Sequence, residues 1–91
     1  MITREQIEEA LGPNKNAYKT KGIDYTTTAI YLLRERIPYE KCRSIIGGAE
    51  HDIIYLCDVD IALPYLSAED LEVLADCNIW VEDGEYFGLF V

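Results

Sequence analysis

No lysine or arginine follows Arg43. Residues 44–91 hold eleven acids and no base, a charge of −11. The first 43 residues hold eight basic and six acidic side chains, a balance of +2, and the 91-residue chain carries −9. Like charges in one small fold repel each other and weaken the compact state. A chain that tolerates this has a solubility reason or a positively charged partner. An anionic surface is also repelled by anionic lipid. Met1-Ile2-Thr3-Arg4-Glu5-Gln6 lacks the basic start and apolar stretch of a secretory signal. No apolar run approaches the roughly 20 residues that cross a bilayer. The expectation is a cytoplasmic protein with no membrane partner.

Chemistry-bearing side chains are scarce as well. Cys42, Cys57 and Cys77 include no Cys-x-x-Cys pair, which excludes a zinc ribbon and a thioredoxin-like motif. They read as small buried hydrophobes. His51 is the single histidine. On a helix, Cys57 would lie about 600° further round and so on another face, which removes a thiol–imidazole pair. His51 therefore reads as a surface or capping residue near a helix start. No glycine-rich phosphate loop occurs, and Gly47-Gly48 reads as a helix stop. Asp58-Val59-Asp60 with Glu69 matches positions 1, 3 and 12 of a calcium loop. The match then fails, because Ala62 stands at the third ligand position and Leu63 where the turn requires glycine. The expectation is no catalytic residue, no metal, no cofactor and no enzyme.

What remains describes one small folded domain. Hydrophobic residues make up 49% of the chain, too many for a disordered acidic tail. A chain this long buries about two-thirds of its unfolded surface, which leaves little room for an enclosed substrate cavity. Thr3 and Gln6 form a capping box for a first helix carrying Ile7, Ala10 and Leu11, which ends at Gly12-Pro13. Residues 12–22 form a loop with three lysines and Tyr18. A second helix starts near Asp24 or Thr26 and runs to Arg36. Pro38 then suits the first position of a third helix, with Tyr39, Cys42, Ile45 and Ile46 at core spacing.

Residues 49–63 fit a helix through Ile53, Leu56, Cys57 and Ile61, with 53–57 as a buried strand the alternative. Ser67 and Asp70 resemble a capping box for a helix over 67–76, whose outer side carries Glu69, Glu72 and Asp76. Asp83-Gly84 predicts a two-residue hairpin turn. That register sets Glu82 opposite Glu85, Val81 opposite Tyr86 and Trp80 opposite Phe87. One face then shows Trp80, Phe87, Leu89 and Val91, and the other Ile79, Val81, Tyr86 and Phe90. Both are apolar, so the hairpin needs a third strand, or helices on one side and a partner on the other. The fold class is α+β: four to five short helices packed on a C-terminal antiparallel hairpin, which a strand from 53–57 would enlarge to three strands.

Residues 26–46 also loosely resemble a helix-turn-helix with Lys41 and Arg43 exposed. The −11 half opposes phosphate, so no direct nucleic-acid contact is expected. The acids instead recur at exposed positions of successive elements. Asp58, Asp60, Glu69, Glu72, Asp76, Glu82, Asp83 and Glu85 are the candidate partner-binding residues.

With Tyr65, Trp80 and Tyr86 as interface aromatics, this composition resembles the small acidic phage-encoded inhibitors of host defence. These include anti-CRISPR proteins and DNA-mimicking antirestriction proteins. The resemblance implies a non-catalytic inhibitor, monomeric rather than homo-oligomeric. Its acidic face would occupy the nucleic-acid site of a basic nucleic-acid-binding protein or ribonucleoprotein complex. The alternative is a regulatory, adaptor or antitoxin-like module that binds through its hairpin.

Overall fold

Two capping boxes set where the outer helices begin. In the computed structural model, which describes residues 1–12 and 23–90, the Thr3 hydroxyl accepts from the Gln6 amide while the Gln6 side chain accepts from the Thr3 amide. Helix α1 (Arg4–Leu11) follows and stops at Gly12, whose φ is 65°. Ser67 and Asp70 repeat the exchange ahead of α4 (Ala68–Asp76). Asp serves at the third position because its shorter carboxylate still reaches the Ser67 amide, at 3.0 Å. Between them lie α2 (Ile23–Arg36) and the single-turn α3 (Val59–Ala62), which Asp58 caps. The expected loop at 12–22 lies outside the described residues except for Gly12.

Four strands form one antiparallel sheet: β1 (Gly48–Glu50), β2 (Ile53–Asp58), β3 (Trp80–Glu82) and β4 (Tyr86–Phe90), in the order β1-β2-β4-β3. The chain is thus α+β, and the sheet is larger than the hairpin alone. Ile53 to Asp58 is a central strand, paired on one side with β1 and on the other with β4. This corrects the helical expectation for most of 49–63. The helix-compatible spacing lost to the tertiary context, because a β-rich run between two partners satisfies both its backbone edges. The β2–β4 register slips between Tyr55 and Asp58. Adjacent Leu56 and Cys57 are both buried there, which strict alternation across one sheet face would not give.

The expected third helix is also absent. After α2, Pro38 O accepts from the amides of Lys41 and Cys42, and no helix continues. Of its expected core face, Ile45 is buried and Cys42 packs against the core, but Tyr39 is 64% exposed and Ile46 44% exposed, so the segment docks without becoming a helix. Arg34 binds the segment back by donating to the carbonyls of Ile37 and Arg43. Gly47-Gly48 is a strand entrance and not a helix stop, since the Gly47 amide donates to Tyr55 O at 2.8 Å. The helix-turn-helix therefore lacks its second helix.

Asp83 and Gly84 do form the hairpin turn, with φ of 52° and 70°, closed by Glu85 N donating to Glu82 O. The register is one residue off the expected one: Trp80 pairs Gly88, Val81 pairs Phe87 and Glu82 pairs Tyr86. Glu85 is left as an extra residue because its carbonyl accepts from the Val59 amide at the start of α3. The slip also re-sorts the faces. Val81, Phe87 and Leu89 join Ile79 in the core beneath the helices, against Ile7, Leu33, Leu56 and Leu74. Trp80, Glu82, Tyr86 and Gly88 share the outer face.

Candidate protein-binding surface

The eight candidate acids divide by what else they do. Asp58 is half-buried, and its carboxylate accepts from the amides of Asp60 and Ile61, so it is a helix cap. Asp60 is exposed and pairs with Arg4, which also reaches Glu8. This pairing, led by the hydrogen bond to Asp60, raises the Arg4 guanidinium above its ordinary value. Glu82 is half-buried and accepts from the Trp80 indole N–H. Glu69, Glu72 and Asp76 lie exposed on α4, and Asp83 and Glu85 lie exposed at the hairpin turn.

Two groupings follow from the backbone. The Val59–Glu85 hydrogen bond and the Asp58–Tyr86 pairing bring the β2–α3 junction to the hairpin turn. Asp58, Asp60, Asp83 and Glu85 thus belong to one end of the sheet. Arg4 stands beside them, its guanidinium 3.8 Å from where a side chain on Gly84 would begin. The α4 acids form a separate stripe on the helical layer, at spacings of three and four.

Three of the described arginines are engaged within the fold, while Lys41 and Arg43 are exposed. Arg36 pairs with buried Asp70 at 3.2 Å and with Glu35 at 3.6 Å. Arg34 serves backbone carbonyls and stacks 5.5 Å from the Tyr39 ring. Every strand, with α3 and α4, comes from the segment without bases. Its exposed acids therefore have no lysine or arginine near them in sequence.

The outer face of the sheet carries a feature that single-strand periodicity could not reveal. Across the order β1-β2-β4-β3, one row reads Gly48, Tyr55, Gly88, Trp80. Aromatics alternate with glycines. The Trp80 indole lies over Gly88 so closely that a Cβ there would meet it at 3.0 Å. Beside this row is a groove of about 320 Å³ lined by Gly47, Gly48, Tyr55, Leu56, Glu82, Asp83 and Tyr86. Partial burial raises the Tyr55 hydroxyl pKa, with Glu50, Glu82 and Asp83 adding to the rise. Three carboxylates thus throw negative potential onto one ring. Tyr55 was not a sequence candidate. The signal that could have found it was the strand reading of 53–57 combined with the glycines at 47–48 and 88.

His51 sits at the tip of the β1–β2 hairpin, not near a helix start, with φ of 52° and 85% of its side chain exposed. Cys57 is buried, so the two form no nucleophile–base pair. All three cysteines are free thiols. Among the described residues, no cluster of three metal-ligating side chains occurs, and no helix is long and apolar enough to cross a membrane. Comparison with known proteins returns no matching family model, no similar curated protein and no similar solved structure.

Proposed function

We propose that this chain is a non-catalytic inhibitor whose acidic surface occupies the nucleic-acid-binding site of a defence nuclease or CRISPR-type ribonucleoprotein complex. The observation that carries the reading is the exposure of Glu69, Glu72, Asp76, Asp83 and Glu85 on a segment that holds no lysine or arginine. The sheet and α4 are built from a base-free segment, while Arg4, Arg34 and Arg36 are engaged by the protein's own acids and carbonyls. Duplex DNA presents one charge per about 1.7 Å of axis. Acids three or four apart on a helix stand about 5–6 Å apart at Cβ, a sparser ladder of the same sign. Such a face docks rapidly on a basic groove and releases as salt rises. The partner is a basic nucleic-acid-binding protein, met in the cytoplasm by a monomer.

The adaptor alternative relies on hairpin anchors. Trp80, Val81, Phe87 and Leu89 are buried, and Tyr86, at 41% exposure, is the described hairpin aromatic that faces solvent. The burial of these anchors supports charge over apolar docking as the main term.

A tagged-protein pull-down from host lysate, at low and high salt and with competing duplex DNA, tests the reading. The expected result is a nucleic-acid-binding complex displaced by both salt and DNA. Charge reversal at Glu69, Glu72 and Asp76 should abolish its capture while far-UV circular dichroism and melting show a folded protein. Undiminished capture by that triple variant would sink the acidic-face mechanism.

A further inference from the structure

We propose that the groove on the outer face of the sheet, between Tyr55 and Tyr86 and beside Glu82 and Asp83, receives an arginine side chain of the protein partner. The inference rests on the inhibitor reading and names how one basic residue of the target is held.

Three observations converge on that occupant. The first is shape. The groove, at about 320 Å³, lies at the lower end of ligand-pocket sizes, which run from about 300 to 1,000 Å³. It suits one long side chain better than a cofactor. Gly47 and Gly48 place no side chain at its lip, and a Cβ on Gly47 would stand 3.7 Å from both the Tyr55 and Leu56 carbonyls.

The second is charge. Glu82 and Asp83 line the groove, and Glu50 acts on the same Tyr55 ring. Glu82 is held by the Trp80 indole, so one carboxylate is oriented before any partner arrives. The third is the pair of tyrosines. Tyr55 and Tyr86 lie on the same face of adjacent strands, and Tyr86 is 41% exposed. A guanidinium is planar, stacks on aromatic faces and is more weakly hydrated than an ammonium. Aromatic faces and carboxylates together therefore select arginine over lysine.

The test is a titration of the ¹⁵N-labelled full chain with a hexa-arginine peptide and, separately, a hexa-lysine peptide, followed by amide chemical shifts. The expected result is saturable shifts at Gly47, Gly48 and Asp83, with the arginine peptide binding more tightly. Tyr86→Ala removes one aromatic wall and should weaken the arginine peptide about three- to fivefold, the range expected for an exposed cation–π contact. Glu82→Gln keeps an oxygen for the indole but loses the charge, and should also weaken it. Equal binding of the two peptides, or parental affinity in both variants, would overturn the assignment. Shifts confined to Glu69, Glu72 and Asp76 would overturn the groove and leave the acidic-face reading standing. Groove shifts together with undiminished lysate capture by the α4 triple variant would do the reverse.

Discussion

Cys57 shows what burial does to a titratable group whose identity suggested only packing. Its thiol is pushed up from an ordinary 9.0 to about 12, chiefly because the interior disfavours the thiolate and secondarily by the neighbouring Cys42. The native state thus keeps a proton that the unfolded chain releases above 9.0. The stability linked to this group is complete below 9.0 and declines as pH rises towards about 12. The slope is at most about 1.4 kcal/mol per pH unit. Urea unfolding followed across that window should show a steeper decline for the parent than for Cys57→Ala. Equal slopes would mean that tyrosine and lysine titration accounts for all of it. Reading the cysteines as buried hydrophobes was thus correct for Cys57 and Cys77, while Cys42 is only half-buried. The role of the acids was less legible. Asp58, Asp60 and Glu82 looked like surface charge, yet each has a local partner. Sequence shows that a carboxylate exists but not which amide, guanidinium or indole the fold brings to it.

Among the elements, the two capped helices were read well, while the third helix and the elements specified by distant partners were not. Both capping boxes hold because their donors and acceptors lie three residues apart. Asp70 goes beyond its box: 5% exposed, it caps Ser67 and takes Arg36 from 34 residues away. The strand at Ile53–Asp58 was ambiguous because its period fits two structures, and only β1 and β4 decide it. The hairpin slipped by one residue because α3 claims the Glu85 carbonyl, a contact invisible in the hairpin's own sequence. That slip sets Gly88 beneath Trp80, and the sheet depends on the match. Gly88→Ala would put a Cβ 3.0 Å from two indole atoms and 3.2 Å from a third. Trp80 is 3% exposed and cannot swing away without loss of packing. A buried overpacked methyl of this kind costs about 1–3 kcal/mol. Chemical denaturation of Gly88→Ala should show that loss, whereas Gly48→Ala, whose new Cβ would meet the Tyr55 ring only at 3.9 Å, should show little. Equal losses would mean that backbone freedom, not the indole, sets the requirement.

For the whole molecule, the question is whether the acidity carries a cost in stability, as a surface kept for a partner should. The protein spans 31 × 26 × 23 Å. At about 0.01 M salt the Debye length is about 30 Å, so every charge feels the net −9; at about 1 M it is about 3 Å, and only contacting pairs survive. Two opposed terms therefore respond to salt. Screening the excess of acids stabilises the fold. Screening exposed pairs such as Arg4–Glu8 weakens it, but such pairs contribute little to begin with. Arg36–Asp70 is partly shielded by the burial of Asp70. Repulsion should dominate, and Tm should rise between these salt concentrations. The neutral variant Glu69→Gln, Glu72→Gln, Asp76→Asn should start with a Tm at or above the parent's at low salt and gain less on screening. One offset is known in advance: Glu69 lies in the first turn of α4, where an acid is worth about 0.3–1 kcal/mol against the helix dipole. A parent Tm that falls with salt would show that pairing outweighs repulsion. The acids would then be part of how the molecule is held together, and their exposure would no longer argue for a cationic partner.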